Sequence, residues 1–325
     1  MSLTVNQAFD KFNKELVNLD SEKTKKARKS RDWLIGQLND LEFKDHTFPA
    51  SYKEKHLKFG SFARNTKIRP LDDIDLIFTL KAQGSFYDEL KDNTFIINVP
   101  ESAVNLKKLC NEDDTLNSIK VVNKLVSSLK NIEHYSQANI HRRQEAVALK
   151  LTSYDWNFDI VPAFYTTADF YLIPDGNGQW KASNPLVDQS RIKEINKNNN
   201  GQVLQLVRTL KYWQNRPTMP KISSYLFEVM ILDFVETNSL SGDLKEDIEI
   251  FWDYLRYEIY SVVNDPKGIV FDINDLDIDT KNKISDMAEK SFNLANDAIF
   301  YEFFSSLGNP INIWKNIFGD RFPSE

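Results

Sequence analysis

The chain has 325 residues, 41% of them apolar and 27% charged, with a formal net charge of -6. That length and apolar fraction are enough for a sizeable core in two lobes or one large domain. The single cysteine, Cys110, excludes an internal disulfide, and with four histidines it makes no zinc-ligand spacing. No apolar run reaches about eighteen residues and the polar N-terminus lacks a signal-peptide pattern, so a cytoplasmic protein without membrane insertion is expected. The charge is uneven. Residues 1 to 70 hold 15 Lys or Arg against 9 Asp or Glu, a balance of +6, and the remainder holds 26 against 38, a balance of -12. A protein that tracks long duplexes needs a stronger basic excess, so small nucleotides fit this balance better.

In chain order, residues 4 to 19 and 21 to 42 read as helices with Phe9, Phe12, Leu16, Trp33, Leu34, Leu38 and Leu41 inward, expected to brace a sheet. The second carries the densest basic run, Lys23, Lys25, Lys26, Arg28, Lys29 and Arg31, which is either a solvated face or a contact for an activator or nucleic acid. His141-Arg142-Arg143 allows the same two readings. Strands are predicted near 55 to 60, 73 to 80, 145 to 152 and 157 to 164, with an amphipathic helix from Leu116 to Lys130. A Pro-, Gly- and Asn-rich passage from Pro174 to Gly201 marks a change of regime, with a tight turn over Ile173 to Gly178. Beyond Gly201 the chain reads as mainly helical. The acidic alternation Asp272, Asp275, Asp277, Asp279 lacks the glycine and closing Glu of an EF-hand and reads as a solvated turn.

The chemistry concentrates in Gly60-Ser61 and in Asp73-Ile74-Asp75-Leu76-Ile77. Side chains two apart on a strand share a face, so Asp73 and Asp75 point the same way and can share a divalent cation. An all-carboxylate donor set suits Mg²⁺ or Mn²⁺. Gly60 lets backbone approach a phosphate, and Ser61 offers a hydroxyl and an N–H. Two-metal phosphoryl transfer needs a third carboxylate. Asp159, in the second strand-like run Asn157 to Pro162, is the preferred candidate, brought beside Asp73 by a hairpin. Asp155 is the alternative, although its surroundings favour the turn between the two strands. A lone D-x-D pair is a weak signal; the Gly-Ser loop and the later Asp make the combination specific.

These motifs resemble the polymerase-beta-type nucleotidyltransferase superfamily. Val207-Arg208-Thr209-Leu210-Lys211-Tyr212-Trp213 and Ser223-Ser224-Tyr225-Leu226-Phe227-Glu228 resemble one branch of it, the bacterial cyclic oligonucleotide synthases of anti-phage defence (CD-NTases), relatives of cyclic GMP-AMP synthase and oligoadenylate synthetase. The ending Ile313 to Phe322 is similar to branch members that work beside HORMA-domain partners. The resemblance runs from about residue 30 onward.

The resemblance implies a mixed α/β nucleotidyltransferase lobe over residues 1–200 with a mixed sheet, and a helical C-terminal lobe over residues 201–325 completing an NTP cleft. It implies two Mg²⁺ or Mn²⁺ ions on Asp73, Asp75 and Asp159, and a donor triphosphate held by Gly60, Ser61, Lys211 and Ser224. Lys211 lies outside the apolar stripe Val203, Leu206, Val207, Leu210 and Trp213, and is otherwise a solvated helix lysine. Ser224 opens an apolar helix whose N-terminus suits an anion. Tyr225 matches an aromatic that stacks on the base, with core packing as its other reading. The implied product is a cyclic di- or trinucleotide second messenger for a separate effector, with ATP favoured over GTP or a pyrimidine NTP, and with a HORMA-type regulator or nucleic-acid activator as partner. The rivals are nucleotidylation of RNA ends or protein hydroxyls, and a catalytically silent nucleotide sensor.

Overall fold

Among the described residues, runs rich in β-branched and aromatic residues build nine strands: β1 (Leu57–Phe59), β2 (Asp73–Leu80), β3 (Phe86–Lys91), β4 (Thr94–Asn98), β5 (Asn139–Arg143), β6 (Ala146–Lys150), β7 (Asn157–Tyr165), β8 (Tyr171–Pro174) and β9 (Trp180–Ser183). The computed structural model describes residues 3–304 and 309–324. Its helices are α1 (Val5–Phe12), α2 (Ser21–Asn39), the short α3 (Leu41–Lys44), α4 (Gly60–Ala63) and α5 (Val104–Lys107), then α6 (Ser118–Lys130), α7 (Pro185–Asn198), α8 (Val203–Gln214), α9 (Ser224–Thr237), α10 (Leu244–Glu258), α11 (Ile278–Phe303) and α12 (Pro310–Phe318). The chain divides into two units, each assembled from separated stretches of sequence.

The unit formed by Ser21–Arg64 and Leu71–Gln189 holds the whole sheet. Its order is β1-β2-β7-β8-β9-β4-β3, with β6 also on β7 and β5 on β6. β2 and β7 run parallel while the other pairs are antiparallel, so the sheet is mixed, as the resemblance implied. Beyond Asp75, β2 is buried on both faces from Leu76 to Leu80, the mark of a central strand. Helix α6 lays Val121, Val122, Leu125 and Leu129 into the core and packs against β5 to β8. Asp75 and Ile77 alternate onto the face that carries Asp159, Val161 and Ala163, where Ile77, Ala146, Val161, Ala163 and Tyr171 form a small apolar cluster next to the carboxylates.

The other unit takes the chain up to Asp20, residues 65–70 and the chain from Ser190 onward. It is helical, built around the buried Trp213, Phe227, Phe234, Phe251, Trp252 and Trp314.

The first helix does not brace the sheet: the Phe9 ring packs edge-on against Trp314 at 4.9 Å and Phe322 at 5.2 Å, so the N-terminal segment belongs with the C-terminal helices. The two compact units divide after Gln189, inside α7. The passage from Pro174 to Gly201 contains β9 and the whole of the fourteen-residue α7, which starts on Pro185. The predicted turn within it is real and joins β8 to β9, with Asp175 Oδ1 accepting from the Asn177 and Gln179 N–H groups.

Candidate metal centre

Two carboxylates come from β2 and one from its parallel neighbour. The register sets Asp75 opposite Asp159 and Asp73 opposite Asn157, so the partner of Asp159 across the ladder is Asp75 and not Asp73. Each of the three carboxylates offers an oxygen within 4.8 Å of those of the other two, and all three residues are half-buried. Burial pushes the Asp159 pKa up from the usual carboxylate value, Arg143 pulls it down and Asp73 raises it further. The Arg143 guanidinium lies 4.0 Å from Asp159 Oδ2 and is mostly exposed, too loose a contact to neutralise the cluster. Asp159 Oδ1 is buried without a hydrogen-bond partner among the described residues. An orphaned carboxylate oxygen in an all-oxygen cluster of like charges is the environment a hard divalent cation satisfies. The residues present therefore fit a metal.

Gly60 is built into this cluster. It follows β1, whose Phe59 pairs with Asp75, and it adopts a left-handed φ of +74°. A Cβ at this position would lie 1.7 Å from Asp75 Oδ2. Only glycine permits both the conformation and the contact. Ser61 follows in the single turn of α4, half-buried. Asp155 is elsewhere: it sits exposed in the β6–β7 turn, in an ion pair of 2.9 Å with Lys23.

The remaining predicted site residues lie in the helical unit. Lys211 is on α8 but is only 5% exposed, so it falls within the buried surface of the helix rather than outside it. Its Nζ is 3.2 Å from Glu228 Oε2 on α9, which also accepts the Thr66 hydroxyl at 2.9 Å. This polar partner is what makes burial of the ammonium tolerable. Ser224 is the exposed first residue of α9, capped by Ser223, whose hydroxyl accepts from the Leu226 N–H at 3.5 Å. Tyr225 is half-buried; the Lys267 ammonium lies 3.9 Å from its ring centre and also donates to its hydroxyl, which in turn donates to Asp265 Oδ1 at 3.2 Å. Sequence reasoning had flagged Arg143 without placing it at the carboxylates, and it had missed Lys267 and Asp265 altogether. Neither lies in a motif or a periodic run.

The basic run on α2 separates in the structure. Lys23 pairs with Asp155, Arg31 is buried beside Asp32, and Lys25, Lys26, Arg28 and Lys29 are exposed. Among the described residues, no helix is long and apolar enough to cross a membrane.

No family model matches the chain. A protein of Bacillus cereus (strain VD146) named "Probable cyclic nucleotide synthase" is 46% identical over 330 residues, covering 100% of this chain and 99% of that protein. A cyclic AMP-AMP-AMP synthase of Acinetobacter sp. is 24% identical over 289 residues, 81% of this chain and 71% of that protein. Among solved structures, Escherichia coli MS115-1 CdnC with ATP superposes with a TM-score of 0.72 at 17% identity over 98% of both chains. The same CdnC in complex with HORMA-deltaN also gives 0.72, at 16% identity over 98% of both chains. Vibrio cholerae DncV, a cyclic AMP-GMP synthase, gives 0.68 at 12% identity, covering 100% of this chain and 98% of that one. The structural matches agree on the nucleotidyltransferase fold, and the full-length sequence match places this chain in the bacterial cyclic nucleotide synthase (CD-NTase) family.

Proposed function

We propose that this enzyme joins NTPs into a cyclic di- or trinucleotide that contains adenine, releasing pyrophosphate at each transfer. The observation that carries the reading is the convergence of Asp73, Asp75 and Asp159 beside a glycine that no other residue can replace. Two Mg²⁺ or Mn²⁺ ions held by these carboxylates would activate the attacking ribose hydroxyl and neutralise charge on the donor phosphates. Gly60 leaves room for backbone to approach a phosphate, and Ser61 supplies donors to its oxygens. Lys211 and Ser224 are assigned to the triphosphate and Tyr225 to the nucleobase, as in the family motifs these positions match. Lys211 reaches that role with its charge already oriented by Glu228. A second transfer or a third, followed by ring closure, completes the product.

Adenine is favoured because relatives in the comparisons are a cyclic AMP-AMP-AMP synthase and a CdnC solved with ATP. A HORMA-type regulator is proposed on the ground that CdnC was solved with one. The setting is then cytoplasmic anti-phage signalling, with the product acting on a separate effector. Base choice is tested by measuring pyrophosphate release with each NTP alone and in pairs. Release that requires ATP supports the reading; turnover of other NTPs with ATP neither needed nor incorporated overturns the adenine assignment.

A further inference from the structure

The C-terminal segment from Ile313 to Phe322 has no role in the chemistry above, yet it walls a cavity of about 550 Å³ in the helical unit. The cavity lies among the end of α8 and the turn after it, α11, and the chain leaving α12. Its volume is in the range that holds a small molecule. Arg216, Lys290 and Arg321 line it against one carboxylate, Asp320. Tyr212, half-buried, lines it as well and offers ring surface to an apolar body.

Arg216 is the informative member. It is half-buried in the turn after α8, its Nε donating to the Trp213 carbonyl at 3.1 Å and its Nη2 lying 3.5 Å from Met219 Sδ. No carboxylate of the described residues pairs with it, and burial pushes its pKa below the ordinary arginine value. Lys290 and Arg321 are exposed and likewise make no ion pair among the described residues. A desolvated guanidinium that its own fold leaves without a counter-charge is stabilised by a bound anion. Three cations against one carboxylate leave more positive charge than a single carboxylate ligand would match. A diphosphate carries enough, and the planar donor fork of Arg216 suits its oxygens.

We propose that this cavity binds the di- or polyphosphate group of a small molecule, at a site separate from Asp73, Asp75 and Asp159. The phosphate is either free, as pyrophosphate, or carried by a nucleoside whose ring would lie along Tyr212.

The test is calorimetric titration of the Asp75→Asn protein in EDTA at low salt, with inorganic pyrophosphate and ADP as separate titrants, so that neither metal nor turnover contributes. Saturable binding is expected, weakened about tenfold or more by Arg216→Gln, about threefold by Lys290→Ala or Arg321→Ala, and partly restored by Arg216→Lys. Lys91→Ala, on the exposed face of β3 in the other unit, should leave it unchanged. Tighter binding of ADP than of pyrophosphate identifies the nucleoside-borne group; the reverse identifies the free ion. Absence of saturable binding overturns the proposal. So does binding that survives the Lys290→Ala/Arg321→Ala pair, a readout that holds even if Arg216→Gln fails to fold. Equal binding of a hexaglutamate peptide overturns the assignment to phosphate. Because the measurement excludes catalysis, its failure and a failure of the synthase reading are distinct results.

Discussion

The carboxylate oxygen Oδ2 of Asp75 occupies the space that a side chain on Gly60 would need, with an ideal Cβ at Gly60 only 1.7 Å from it. The loop and the carboxylate cluster are therefore one structure, fitted at van der Waals contact. Gly60→Ala must displace Asp75 or distort a backbone that holds φ at +74°. Because displacements of about 1 Å in a reacting centre can cost about 10²-fold in rate, product formation should fall at least that far. Comparison of initial rates with thermal melting checks this, since a loss of rate out of proportion to any loss of stability is the expected pattern.

The metal-free fold tolerates the ionised form of Asp159 poorly, with a buried Oδ1 that has no hydrogen-bond partner among the described residues and a raised pKa. Asp159→Asn should therefore melt at the same temperature as the parent or higher when metal is absent. The parent should gain stability from Mn²⁺, by about 2.7 kcal/mol at a concentration one hundred times Kd, and the variant should lose that gain. Melting curves with and without Mn²⁺ decide the point. An equal Mn²⁺ shift in both proteins would remove Asp159 from the metal site.

The buried Lys211–Glu228 pair makes a separate prediction about stability. Glu228→Gln removes the carboxylate that lies 3.2 Å from the buried Lys211 ammonium and should cost about 3–5 kcal/mol. Thr66→Val removes the hydroxyl that donates to the same carboxylate and should cost about 1–3 kcal/mol. Urea unfolding of the two variants measures both.

His56 gives the fold a pH dependence distant from chemistry. Its Nδ1 accepts the Thr79 N–H at 3.0 Å, Nε2 is buried without a partner among the described residues, and burial lowers its pKa from 6.5 to about 4. The folded pKa is depressed, so the unfolded chain takes up the proton first. Stability from this group is complete above pH 6.5 and is lost as the pH falls towards about 4. Over that window the parent should lose about 3 kcal/mol more than His56→Asn, whose oxygen can still accept from Thr79. Urea unfolding at several pH values from 7 to 4 shows whether the two curves converge.

How much of this was legible in the sequence depended on range. β2 and β7 could be read from their own residues, because apolar alternation and carboxylate spacing lie within a single strand. The pairing of Asp75 with Asp159 could not, since register across a parallel ladder is set by packing rather than by any local signal. The hairpin of β3 and β4 was missed although Asp92-Asn93, both at positive φ, is a tight-turn signature; the exposed, charged face of β3 hid the strand. The burial of Lys211, placed outside the apolar stripe by its spacing, was not legible because Glu228, which permits it, lies 17 residues away on another helix. The N-terminal helix was given to the wrong unit for the same reason: an inward face is visible in sequence, but the partners of Phe9 are Trp314, Phe318 and Phe322, some three hundred residues later.

The most direct test of the central claim is incubation of the purified protein with all four NTPs and Mg²⁺ or Mn²⁺, alone and with a HORMA-type partner, followed by mass spectrometry of phosphatase-resistant products. The account predicts a cyclic oligonucleotide containing adenine that is absent with the Asp73→Ala/Asp75→Ala protein. No resistant product under any of these conditions, or the same product from the double variant, would contradict it.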